Sequence, residues 1–230
     1  PILALLLPLI VAYELCLALV LRSGDGVVTN KAHETLLNVL VSFGISPTGG
    51  LYLGGLVIVV VLLVWHILLR APWTVDLKLV GLMAIESALL TLPLVVVRDQ
   101  IAGGFAGWAS AAGGVPDVAD LSTASLLAIS VGAGLYEELL FRMLFIAVVH
   151  TLIVDLAKVG ELAGGVIAVA ISALLFTWYH PLDVDGAVSW RRATFFLVAG
   201  LYFGVVYVAR GFGIVVMVHA LYDIVTVLSD

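Results

Sequence analysis

The chain is expected to be all-α, a polytopic integral membrane bundle of about seven transmembrane helices, and three observations carry that expectation. The first is composition. Of 230 residues, 63% are hydrophobic and 11% charged, with a mean hydropathy of +1.24. Soluble globular chains run near 45–50% apolar and about 25% charged. The second is run length. The apolar runs are roughly 20 residues long, enough to cross a ~30 Å hydrocarbon core, whereas an outer-membrane barrel would show alternating segments of about ten. The third is punctuation. Polar and aromatic stops such as Arg70-Ala71-Pro72-Trp73 close the apolar runs, as expected at a membrane interface.

Composition also excludes some functions. A single cysteine, Cys16, cannot form an internal disulfide, and its apolar neighbours make it a packing residue. The net charge of −6 is dispersed along the chain, so no nucleic-acid partner is implied. The chain begins at Pro1 without an initiator methionine, so its natural N-terminus is expected upstream.

The first span is expected at about 1–21 and carries Glu14. The polar stretch 22–48, with Ser23-Gly24-Asp25-Gly26 and His33-Glu34, reads as a loop with a short interfacial helix. The second span is expected at about 49–69. The third, about 77–97, carries Glu86 and stops at Arg98-Asp99. The Gly/Ala-rich stretch 101–115 reads as a re-entrant or surface piece. Asp120 or Ser122 is the expected N-cap of the fourth span, about 121–154. That span would measure about 50 Å, well beyond the hydrocarbon core, so it must tilt, protrude or break, with Gly132 and Gly134 as the weak points. The fifth span, about 162–179, stops at His180-Pro181. The sixth is expected at about 193–209, followed by a tight Arg210-Gly211 turn and the seventh at about 212–228. No repeat is visible. Residues 1–120 are read as N-terminal helices and loops, and 121–230 as the transmembrane core of one compact bundle.

The fourth span poses the main physical problem. Tyr136-Glu137-Glu138-Leu139-Leu140-Phe141-Arg142 places three charges in an apolar run. Each charge at mid-bilayer depth costs roughly 2.5–3.5 kcal/mol, so the cluster must face protein or water and must have partners. Glu138 and Arg142 are four apart, share a helix face and can pair. Glu137 lies about 100° around the helix and can look into a cavity instead. His180 ends the fifth span, and the following proline biases it away from helical geometry. In the seventh span, His219 and Asp223 share a face at i, i+4. Helical rise puts all of these groups at depths that one cavity could collect, with His180 nearest the face called side A. A carboxylate and an imidazole across such a cavity can activate water, and a second histidine can donate to an oxyanion.

In order, Glu137-Glu138-x-x-x-Arg142, Phe176-x-x-x-His180 and His219-x-x-x-Asp223 resemble the three motifs of the CPBP intramembrane proteases. These are the CAAX-processing and bacteriocin-processing (Abi) proteins, including the Rce1-type prenyl endopeptidases. The resemblance covers roughly 121–230. It implies a glutamate-type endopeptidase with Glu137 as general base and His180 as its partner on the water. His219 would stabilise the oxyanion together with the residue four positions on, and Glu138 and Arg142 would support the site. That residue is Asp223 here, whose charge would repel an oxyanion, so it is expected instead to orient His219 and favour its protonated form, or itself to carry a proton. No cofactor and no metal ligand set is expected. A zinc-dependent version of the same protease is one alternative, a non-catalytic scaffold or immunity protein a second, and a proton-coupled transporter using Glu14, Glu86 and Glu137 a third. The expected partners are the lipid bilayer and a peptide or protein substrate, lipidated or not. The expected location is the plasma membrane of a prokaryote, and the balance of basic residues puts side A in the cytoplasm.

Overall fold

A computed structural model describes residues 1–23, 26–70, 72–102, 121–184 and 186–229. Among them eight helices form, and seven are long and apolar enough to cross a membrane. The spans are α1 (Ile2–Leu19), α3 (Pro47–Leu68), α4 (Leu77–Ala102), α5 (Thr123–Leu156), α6 (Glu161–Tyr179), α7 (Trp190–Arg210) and α8 (Phe212–Ser229). The short α2 (Lys31–Ser42) follows a two-stranded hairpin, β1 (Arg22–Ser23) with β2 (Gly26–Val27). A second hairpin, β3 (Asp183–Val184) with β4 (Ala187–Val188), joins α6 to α7. Helices dominate because within lipid a helix satisfies its own backbone groups.

The helix starts follow local chemistry. Asn30 caps α2 by accepting from the His33 amide, and Ser46 caps α3 ahead of Pro47 in its first turn. Of the two expected caps for α5, Ser122 serves, accepting from the Ser125 amide, while Asp120 lies outside the described residues. So does the Gly/Ala-rich stretch beyond residue 102. The third span does not stop at Arg98-Asp99 but continues to Ala102. Arg98 reaches from α4 to the Thr226 and Ser229 hydroxyls of α8, so the charge is accommodated and the helix runs on.

The α5 expectation needs a correction. The helix changes character after Glu138, not at its glycines: Leu139–Ile146 and Thr151–Leu156 are π-helical. Gly132 and Gly134 are instead contact points. A Cβ on Gly134 would stand 2.8 Å from the Ala220 amide nitrogen and 2.9 Å from the Val216 carbonyl of α8. One on Gly132 would drive into the Tyr13 ring of α1. The two glycines therefore let three helices approach closely, as small residues do in membrane bundles. With α5, α4, α7 and α1 all packed on it, α8 is the most buried span. At its start, Gly211 takes φ +86°, which makes the sharp α7–α8 turn possible.

Candidate active site

Four helices supply the site. Glu137, Glu138 and Arg142 come from α5, His180 from the end of α6, and His219 and Asp223 from α8, while α7 supplies aromatic walls. His180 leaves the helix with ψ 152°, the extended geometry imposed by Pro181. All six of these polar side chains are buried, with Glu137, Glu138 and Arg142 fully so.

The expected ion pair is present. Arg142 Nη1 lies 3.1 Å from Glu138 Oε1 without an aligned hydrogen bond, and Nη2 donates to the Gly200 carbonyl of α7 at 3.2 Å. The guanidinium also lies over the Phe176 ring at 4.3 Å and near the Phe203 ring at 5.2 Å. A buried cation is thus held by a carboxylate, a carbonyl and two ring faces. Gly200 also lets α7 pack closely on α6, since a Cβ there would stand 3.0 Å from the Ala173 Cα. The π-helical turn contributes too, because it offers the Phe141 carbonyl to the Ser172 hydroxyl of α6 at 2.8 Å.

The Glu138 carboxylate does a second thing. Its Oε1 accepts from His219 Nδ1 at 2.7 Å. Asp223, expected to orient His219, is instead 3.5 Å from the other ring nitrogen, Nε2, without an aligned hydrogen bond. The His219 ring is therefore flanked at both nitrogens, by Glu138 at Nδ1 and by Asp223 at Nε2. Sequence spacing misses this because Glu138 and His219 are 81 residues apart.

His180 is oriented separately. Its Nδ1 is 2.7 Å from the Phe176 carbonyl, which can only accept, so Nδ1 carries the proton and the neutral ring has its lone pair on Nε2. Phe196 stacks on this imidazole at 4.1 Å, and Phe203 stacks on His219 at 4.6 Å. Motif spacing does not reveal these α7 rings, although Phe196, Gly200 and Phe203 recur at helical intervals.

Glu137 faces both imidazoles. Its Oε2 is 3.6 Å from His180 Nε2 and 3.9 Å from His219 Nε2. Among the described residues, neither Glu137 oxygen has a hydrogen-bond partner. Beside the two histidines lies a cavity of about 10 Å³, bounded by Phe176, Phe196, Phe203 and Asp223 among others, at the threshold for one water molecule. Among the described residues no three His, Cys, Asp or Glu side chains converge as a metal-ligand set. The remaining spans' carboxylates stay apart. Glu14 Oε1 accepts from the Gly55 amide at 2.9 Å and from the Tyr136 hydroxyl at 3.4 Å, and Glu86 pairs with Arg210.

No curated protein and no solved structure matches this chain. Residues 119–225, which hold every site residue described above, match the family model of type II CAAX prenyl endopeptidase Rce1-like proteins. The similarity covers just under half of the chain, and the three motifs and the buried site all fall within it.

Proposed function

We propose that this chain hydrolyses a peptide bond of a membrane-associated substrate, with Glu137 and His180 activating the attacking water. The observation that carries the reading is the unbonded Glu137 carboxylate, whose Oε2 faces the His180 and His219 Nε2 atoms at 3.6 and 3.9 Å in a buried site. Two acceptors facing each other at that separation suit a molecule with two donors. A water there gives one hydrogen to the carboxylate and one to the lone pair on His180 Nε2. Its own lone pair is then aimed away from both, toward a substrate carbonyl.

Attack forms the C–O bond while Glu137 takes the water's proton. The developing oxyanion lies near His219 Nε2, which can donate once the ring is protonated. Glu138 accepts from Nδ1 and is itself paired with Arg142, so the ring is held with Nε2 free to face the oxyanion. Asp223 lies 3.5 Å from Nε2, and its carboxylate must turn away to admit the oxyanion. Collapse of the tetrahedral intermediate breaks the C–N bond, and the proton held by Glu137 passes to the leaving amine. No step requires a metal. The peptide substrate would reach the site from side A, the face to which His180 is nearest. We place the chain in a prokaryotic plasma membrane with that side cytoplasmic.

The test uses purified protein in detergent and a peptide library. Glu137→Ala and His180→Ala should each abolish cleavage while leaving thermal stability intact. The double variant should be scarcely worse than either single, since groups acting as one unit are non-additive. Chelators should change nothing. If chelation stops hydrolysis and added zinc restores it, the same residues serve a metal and the water-activation scheme is wrong.

A further inference from the structure

A second polar cluster, outside the three motifs, sits where α1, α2, α3 and α5 meet. His33 of α2 is fully buried there. Its Nε2 donates to the Leu51 carbonyl of α3 at 3.0 Å, so Nδ1 is the acceptor, 3.0 Å from both the Tyr13 and Thr29 hydroxyls. Its ring stacks face to face on Tyr136 of α5, with centroids 4.3 Å apart and planes 2° from parallel. Gly54 makes room for this, because a Cβ there would stand 2.7 Å from His33 Nε2. Burial holds the His33 pKa down at about 4, so the ring stays neutral and the hydrogen-bond pattern holds at ordinary pH.

Two residues earlier on the same helix, Lys31 reaches the opposite way. Its Nζ donates to the Tyr179 carbonyl at 2.9 Å and lies 4.5 Å from the centre of the Tyr179 ring. Tyr179 is the last residue of α6, and the carbonyls of a final helical turn lack intrahelical donors. A lysine there satisfies one of them and complements the helix dipole. Positions two apart on a helix point about 200° apart, so α2 packs on α3 and α5 while its first residue, Lys31, reaches the end of α6. The two residues it grips have one thing in common. Tyr136 immediately precedes Glu137, and Tyr179 immediately precedes His180.

We infer that α2 is a bracket that sets the gap between Glu137 and His180, with His33 and Lys31 as its two positioning residues. The inference rests on the reading of Glu137 and His180 as the pair that activates water. Neither His33 nor Lys31 touches the reacting atoms. Lys31 holds the backbone carbonyl of the residue before His180, His33 stacks on the ring of the residue before Glu137, and small misplacements of reacting groups are costly in rate. A non-spanning helix tied to both halves of the site can hold that distance while the spans tilt.

Lys31→Met tests the bracket, because Lys31 is exposed and methionine keeps an unbranched stem. With the best-cleaved peptide of the library, kcat should fall roughly tenfold while KM and melting temperature stay at wild-type values. Lys31→Arg, which can still donate to the Tyr179 carbonyl, should recover most of kcat. His33→Phe, which keeps a ring on Tyr136 but loses the hydrogen bonds, should lower kcat in the same way. The inference is overturned by a wild-type kcat in Lys31→Met, by a change in KM alone, by failure of arginine to restore rate, or by losses that only track melting temperature. Glu137→Ala and His180→Ala are measured alongside. Turnover retained there defeats the water-activation reading. Turnover lost there with Lys31→Met unaffected defeats the bracket alone.

Discussion

Two buried polar clusters lie on either side of the Tyr136-Glu137-Glu138 turn, and they differ in kind. Around His33 the groups are a neutral imidazole, two tyrosines, a threonine and an asparagine, and none of their buried side-chain polar atoms lacks a hydrogen-bond partner. Around Glu137 the side chains are mostly ionisable, and Glu137, Glu138 and Asp223 all keep an unbonded buried oxygen among the described residues. Burial alone therefore does not distinguish the proposed site, since His33 is as deeply buried as Glu137. What separates the two is satisfaction. A fully bonded network rigidifies, whereas buried acceptors without donors are costly and persist where chemistry uses them.

The sharpest way to break this comparison is to neutralise one glutamate from each side. Glu137→Gln should lower turnover by roughly 10²–10⁴, the worth of a general base, with melting temperature unchanged. Glu14→Gln should keep most of the activity, because Glu14 accepts from the Gly55 amide and the Tyr136 hydroxyl and an amide oxygen can do the same. If peptide cleavage assays reverse that order, the active cluster is on the other side of Tyr136. The next largest effect is on stability. Arg142→Leu leaves Glu138 buried without its cation and should destabilise by roughly 3–5 kcal/mol, read as a lower melting temperature in detergent. Wild-type melting would show that the pair contributes nothing to the fold.

A smaller effect separates the clusters by pH. With the folded His33 pKa near 4 and the unfolded one near 6.5, the unfolded chain binds more protons in between, so stability is lost as pH falls through that window. The titratable neighbours are Tyr13 and Glu14 on α1, Glu34 on α2 and Tyr136 on α5. His33→Gln should flatten the acid loss of melting temperature between those two pH values, and an unchanged slope would assign the loss to other groups. Smallest of all, Glu86→Gln should change neither activity nor melting detectably, because its partner Arg210 is exposed and an exposed pair is screened.

By itself the sequence determined whatever depends on neighbours along one helix. The seven spans, the Ser122 cap, the extended geometry at His180 before Pro181 and the Glu138–Arg142 pair at i, i+4 are all local consequences of residue type and spacing. The tertiary structure decided what depends on how helices rotate and approach one another. It gave Glu138 its second partner in His219, put Asp223 at Nε2, turned Gly132 and Gly134 into contact points, and joined α2 to Tyr136 and Tyr179. Helical periodicity specifies a side chain's direction relative to its own axis only. A rotation of one helix by a single residue, about 100°, would bring a different set of side chains together, and only packing against the other helices chooses among those rotations.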